Sequence, residues 1–213
     1  FVLAAVLTGL VMANEAGLPK NAPALAALAA WQVVTVALTL AIASWGGRAA
    51  DVLALSVRPS AGILSAALGL VLALQVVTTT LEFIFVPEEM FRDLRSFVEI
   101  ARGPWWLLGL LIVGIGAPLS EELLFRGFLF SALAKSRLGI VGASLITTVL
   151  WTALHAGYTV IGLVEIFLVG LLFSWLLYRT GSLLVTIVCH AVYNSLIMLA
   201  LRYLPLPSGL LPA

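Results

Sequence analysis

This sequence of 213 residues is short of charge and cysteine. Charged residues make up 10% of the chain, whereas a soluble globular protein carries about 25%. The single cysteine, Cys189, excludes an internal disulfide. The formal net charge of +1 argues against a nucleic-acid partner, because such partners require a basic patch or stripe.

Apolar residues predominate in this sequence. They make up 62% of the chain, and the mean hydropathy is +1.17. A membrane span needs about 20 predominantly apolar residues. We expect an all-α, multi-pass integral membrane protein, a single bundle of about 7–8 transmembrane helices in the lipid bilayer. The predicted spans are Phe1–Ala13 (the remaining part of a longer helix), Pro23–Trp45, Ala61–Val86, Trp105–Ala134, Ile140–His155, Val160–Tyr178 and Ser182–Leu204.

One segment, Pro87–Arg102, has a different pattern. Its apolar residues recur with helical spacing, and its other face carries charged residues of both signs. This pattern predicts an amphipathic helix that lies in the membrane interface, and a solvated helix packed on its own protein is an equally open alternative. The chain thus divides into residues 1–103 with N-terminal helices and the amphipathic helix, residues 104–204 with the polar motifs, and a proline-rich tail over residues 205–213.

Ionisable residues interrupt the apolar stretches at three places. The only two histidines are His155 and His190, and a third cluster contains Glu121, Glu122 and Arg126. Ionisable groups inside a bilayer are costly, so each predicts a functional site. The pair at positions 122 and 126 is spaced for an ion pair across one helical turn. The preceding glutamate points about 100° away and is free for another partner.

Proline and helical spacing suggest how these groups converge. Pro118 predicts a kink or break just before the two glutamates, where loosened backbone lets water approach. His190 and Asn194 are four residues apart on one helix face, and their hydrogen-bond donors would suit a developing oxyanion. Counting helical rise puts Glu121, His155 and Asn194 at a similar depth, with His190 about one turn shallower.

The order and spacing of these motifs resemble those of the CAAX prenyl protease and bacteriocin-processing family, which includes the Rce1-type intramembrane proteases. The resemblance covers roughly Pro104–Leu199 and includes the Phe125-Arg126-Gly127 context. The motifs are Glu121-Glu122-x-x-x-Arg126, Trp151-x-x-x-His155 and His190-x-x-x-Asn194. Trp151 stands where phenylalanine is commoner in that family.

The resemblance implies an intramembrane endopeptidase of about eight helices that uses a glutamate and no required metal. Glu121 and His155 would then activate the attacking water, and His190 and Asn194 would stabilise the oxyanion.

Two supporting roles and one cofactor alternative complete this assignment. Glu122 and Arg126 would hold the motif helix in place. No cofactor is favoured, but zinc stays open as an alternative, with Glu121 (or Glu122), His155 and His190 as the three protein ligands of a catalytic site.

The expected substrate is a membrane-associated peptide or protein, and the expected location is the inner (plasma) membrane of a prokaryotic cell. The alternative is a catalytically silent protein of the same fold, serving as an immunity-type binding subunit or as a component of a larger membrane complex. A transporter is less favoured, because the sequence shows no paired repeats.

Overall fold

The computed structural model describes residues 22–207, which are mainly helical and contain no strand. The predicted span Phe1–Ala13 and the end of the proline-rich tail lie outside these residues. The helices in chain order are α1 (Ala22–Trp45), the short α2 (Ala49–Val52), α3 (Ala61–Phe85), α4 (Pro87–Arg102), α5 (Trp106–Leu133), α6 (Gly139–Ala153), α7 (Val160–Thr180) and α8 (Leu183–Tyr203).

Five of these helices, α1, α3, α5, α7 and α8, are long and apolar enough to cross a membrane. The described residues are thus all-helical, as predicted, and their five apolar helices point to a multi-pass membrane protein, although this is fewer than the predicted 7–8 spans. One predicted span is shorter than expected. The sequence predicted a helix over Ile140–His155, but α6 ends at Ala153, so His155 lies in the turn that follows.

Helix α5 continues through Pro118, and it contains a wider, π-helical stretch on each side of this residue. Two stretches of α5, Leu110–Gly116 and Glu122–Phe130, follow the wider π-helical pattern, in which each N–H bonds five residues back. The N–H of Ala117 accordingly donates to the carbonyl of Ile112. The next bond in this register would run from Pro118 to Val113, and proline has no N–H to donate.

Helix α8 supplies a donor in place of the missing one. Asn194 Nδ2 of α8 donates to the carbonyl oxygen of Val113 at 3.0 Å. The adjacent hydroxyl of Ser195 donates to the carbonyl of Gly114 at 3.3 Å. Backbone groups at membrane depth must be satisfied within the protein, and the polar side chains of α8 do this for α5.

The amphipathic helix α4 packs on the protein through its apolar face. Val98 and Ala101 are buried in one apolar cluster with Leu201 of α8. At the end of α4, Arg102 Nε donates to the carbonyl of Leu201 at 2.7 Å, and its Nη2 donates to the carbonyl of Leu204 at 2.6 Å. The guanidinium thus satisfies carbonyls at the C-terminal end of α8.

We expect Asn194→Leu to lower the free energy of unfolding by about 1–3 kcal/mol, because it leaves the buried Val113 carbonyl without a donor. Chemical or thermal unfolding in detergent micelles measures this loss. Gln32→Leu is the matched control. Gln32 Nε2 donates to the Ile112 carbonyl at 3.0 Å, but that carbonyl keeps the Ala117 N–H. A loss for Gln32→Leu as large as for Asn194→Leu would contradict this account of Pro118.

Candidate active site

A fully buried ion cluster joins α5 to α7 and α8. Arg126 Nη1 donates to Glu122 Oε1 at 3.0 Å, and neither side chain is exposed to solvent. The same carboxylate oxygen accepts from His190 Nδ1 at 3.0 Å. Arg126 Nη2 also donates to the carbonyl of Gly170 on α7 at 3.2 Å. The ion pair expected from the spacing of Glu122 and Arg126 is present, and it links three helices.

Aromatic rings enclose the guanidinium of this cluster. The Cζ atom of Arg126 lies 4.4 Å from the ring centroid of Trp151 and 5.5 Å from that of Phe173. Cation–π contacts of this kind are strongest where water is excluded. Gly170 allows the close approach, because a Cβ atom there would lie 2.7 Å from Thr148 and 3.2 Å from Arg126 Nη2.

Glu121, the adjacent carboxylate, points to a different partner. Its Oε2 accepts a hydrogen bond from the indole Nε1 of Trp151 at 2.6 Å. Glu121 is half-buried, whereas Glu122 is completely buried. The two neighbouring carboxylates therefore differ in access to water, as their different directions on the helix predicted.

His155 lies just after α6, next to the same tryptophan. Its ring centroid is 5.3 Å from that of Trp151, in an edge-on arrangement. His155 Nδ1 lies 3.0 Å from the main-chain oxygen of Trp151. A carbonyl oxygen can only accept, so Nδ1 carries the proton in this bond. In the neutral ring, Nε2 then has a free lone pair that can accept a proton from water.

His190 reaches the group in spite of its shallower position. Its ring lies 5.6 Å from Trp151 and 5.0 Å from Phe173, measured between centroids. Helical rise alone placed it about one turn from the other residues. The wide indole of Trp151 closes this gap, since one ring contacts both histidines and Glu121.

Asn194 is directed to α5 and not to the Trp151 ring. One amide hydrogen is engaged by the Val113 carbonyl. An amide carries two hydrogens, so one is left for the oxyanion role predicted from the sequence. The structure thus gives Asn194 a role in supporting α5 that its spacing from His190 did not suggest.

Tyr158 is a neighbour of the site that the sequence did not point out. Its ring centroid lies 5.6 Å from that of His155, in the turn between α6 and α7. Burial raises the pKa of its hydroxyl well above the ordinary value, and nearby carboxylates, Asp93 and Glu121 among them, raise it further. The phenol therefore keeps its proton at neutral pH. A single tyrosine in an apolar sequence carries no motif signal.

The three side chains named for the zinc alternative do not form a metal-binding group in the part of the chain that the structure describes. Among residues 22–207, no group of three or more His, Cys, Asp or Glu side chains is placed to hold a metal ion. Of the three ligands named for zinc, Glu121 accepts from Trp151 and His190 donates to Glu122. Oε1 of Glu121 and Nε2 of His190 lie outside these bonds.

Comparison with known proteins found a family model that matches the part of the chain carrying this site. Residues 103–196 match the family model described as type II CAAX prenyl endopeptidase Rce1-like. The chain is 38% identical over 86 residues to an uncharacterized 24.3 kDa protein of Escherichia coli, which covers 39% of this chain and 40% of that protein. It is 29% identical over 83 residues to the UPF0177 protein YxdF of Lactococcus lactis subsp. lactis, which covers 39% of this chain and 44% of the relative.

These matches confirm the resemblance found in the motifs. The chain spans about two fifths of the length of the curated relatives that it matches. No solved structure matches it. The matched stretch, residues 103–196, contains every residue predicted for the site and indicates a protease-type enzyme.

We expect Arg126→Met to lower the free energy of unfolding by about 3–5 kcal/mol, because it leaves a buried carboxylate without its main cationic partner. Arg48→Met is the control. Arg48 Nε lies 3.7 Å from Asp51 Oδ2, and the two side chains are 85% and 53% exposed. Removing this surface pair should cost about 0–1 kcal/mol. Similar losses in the two variants, measured by unfolding in the same detergent, would contradict a central role for the buried cluster.

Proposed function

We propose that the chain is an intramembrane endopeptidase, because residues 103–196 match the model of the Rce1-like type II CAAX prenyl endopeptidases. It hydrolyses a peptide bond in a membrane-associated protein or peptide. One observation carries the proposal. Glu121 and His155, which lie on different segments, both contact the buried side chain of Trp151. Two groups that can accept protons from water thereby share one neighbourhood.

In the proposed reaction, Glu121 and His155 act together on a water molecule. The carboxylate of Glu121 takes a proton from the water, and Nε2 of His155 orients the water through its second hydrogen. The water oxygen forms a bond to the carbonyl carbon of the scissile peptide. When the C–N bond breaks, Glu121 returns the proton to the leaving amine, so that the enzyme is restored.

The charge that develops on the carbonyl oxygen is assigned to His190 and Asn194. Asn194 donates its second amide hydrogen, and His190 donates from Nε2 when both ring nitrogens carry protons. Nδ1 of His190 is held by Glu122, so its Nε2 points away from the ion cluster. Glu122 and Arg126 keep the histidine and the motif helix in position and touch no substrate.

The site lies among α5, the end of α6 and α8, and of these α5 and α8 are apolar and long enough to cross a membrane. This location suits a substrate that is itself in the bilayer or attached to it by a lipid. We propose the inner membrane of a prokaryotic cell as the location. We propose no metal ion for catalysis, because Glu121, His155 and His190 do not form a metal-binding group within residues 22–207.

We expect Glu121→Ala and His155→Ala each to reduce cleavage by about 10²- to 10⁴-fold, since general acid–base groups contribute on that scale. The assay uses the purified full chain in liposomes and membrane-associated peptides that include a farnesylated CAAX peptide, with mass spectrometry of the products. Glu88→Ala is the control, because it removes an exposed carboxylate on α4, outside the matched family region.

Two outcomes would contradict this function. Undiminished cleavage by either active-site variant would remove the proposed mechanism. An inactive wild-type chain found in a stoichiometric complex with other membrane proteins would favour the silent binding subunit.

Strong chelators should leave the cleavage rate unchanged, because the proposed water activation uses protein groups alone. The same peptide assay is run after incubation with 1,10-phenanthroline and with its non-chelating isomer as the control. Loss of activity with the chelator alone, followed by recovery on adding Zn²⁺, would overturn the metal-independent mechanism.

A further inference from the structure

Trp151 contacts both members of the proposed water-activating pair, through different atoms. We infer that Trp151 is a positioning residue, whose indole N–H holds the carboxylate of Glu121 and whose main-chain carbonyl holds the ring of His155. This inference rests on the proposed function for its catalytic meaning. The contacts themselves are independent of that function.

The contact with Glu121 is directional. The indole nitrogen lies 2.6 Å from Oε2 of the carboxylate. An indole N–H can only donate, so it binds the carboxylate as an acceptor and does not compete for its proton-accepting role. Because one oxygen is fixed to the indole, the second oxygen of Glu121 lies outside this bond and has a defined direction.

The indole cannot turn away from this contact. Trp151 is 3% exposed, and the guanidinium of Arg126 lies 4.4 Å from its ring centroid. The rings of Phe173 and His190 lie 6.3 Å and 5.6 Å from it. A side chain packed on several sides stays in one rotamer, and a donor held in this way pre-organises the group that it binds.

The main-chain contact with His155 follows from the end of α6. The last carbonyls of a helix lack the usual partners four residues ahead. The carbonyl of Trp151 accepts the N–H of Leu154 at 3.1 Å and Nδ1 of His155 at 3.0 Å, one for each lone pair. This bond fixes the tautomer of His155 and leaves Nε2 available. Position 151 therefore sets the direction of Glu121 and the proton arrangement of His155.

Replacing Trp151 by Phe tests the indole contact. The variant keeps an aromatic ring against Arg126 but removes the donor to Glu121. We expect kcat to fall about 10- to 100-fold with little change in KM, because a hydrogen bond to a charged group contributes on that scale. Trp31→Phe is the control, since Trp31 is 51% exposed on α1. An unchanged kcat for Trp151→Phe would overturn the inference.

A second measurement does not depend on proteolysis. In protein labelled with ¹⁵N at tryptophan, loss of one indole N–H signal in Trp151→Phe assigns that signal. Glu121→Ala should move the Trp151 signal upfield, because the short hydrogen bond is lost, while Glu88→Ala should leave it in place. A Trp151 signal that does not respond to Glu121→Ala would overturn the contact.

The two experiments separate the inference from the proposed function. If the wild-type chain cleaves no peptide, the proposed function fails, and the indole signal still decides whether Trp151 holds Glu121. If the chain cleaves peptides but Trp151→Phe is fully active, the proposed function stands and the positioning role is wrong.

Discussion

The structure depends on how the charges of one buried cluster are paired and hydrogen-bonded. Glu122 and Arg126 are completely enclosed, and a charge at such a site is tolerated only when it is paired and hydrogen-bonded. The partners come from three segments of the chain: α5 supplies the pair, α7 the carbonyl of Gly170, and α8 the ring of His190. The hydrogen bonds to this ion pair therefore fix the positions of three helices relative to one another. Two of these helices also carry the candidate active-site groups.

A second constraint acts on the backbone of α5. Pro118 removes one N–H, and the π-helical register before it leaves the Val113 carbonyl dependent on Asn194. Asn194 and His190 lie one turn apart on the same face of α8. Asn194 donates to the Val113 carbonyl of α5, and His190 donates to the buried carboxylate of Glu122. The polar residues of α8 thus have structural duties that explain their presence in an apolar helix. The proposed oxyanion role uses the N–H hydrogens of Asn194 and His190 that are not engaged in these two bonds.

Hydropathy and helical spacing predicted much of this arrangement, because both are local properties. Span lengths gave most helices, and the separation of Glu122 and Arg126 predicted their ion pair. Contacts between helices were harder to predict from the sequence. Helical rise placed His190 too far from the site, because the calculation ignored the width of the Trp151 ring between them. The continuation of a helix to His155 was wrong, since α6 ends two residues earlier. Asn194 binds the carbonyl of Val113, which lies in a π-helical stretch of α5. Hydropathy does not predict a change from α-helical to π-helical hydrogen bonding.

The adjacent glutamates show how one helix assigns different chemistry to neighbouring residues. Oε1 of Glu122 accepts hydrogen bonds from the guanidinium of Arg126 and the ring of His190, and this carboxylate is not exposed to solvent. It is committed to structure. Glu121 is half-buried and accepts one neutral donor, the indole of Trp151. A group must meet water in order to activate it, so of these two carboxylates only Glu121 is suited to the proposed reaction. The fully buried partner makes this possible by fixing the helix that carries both.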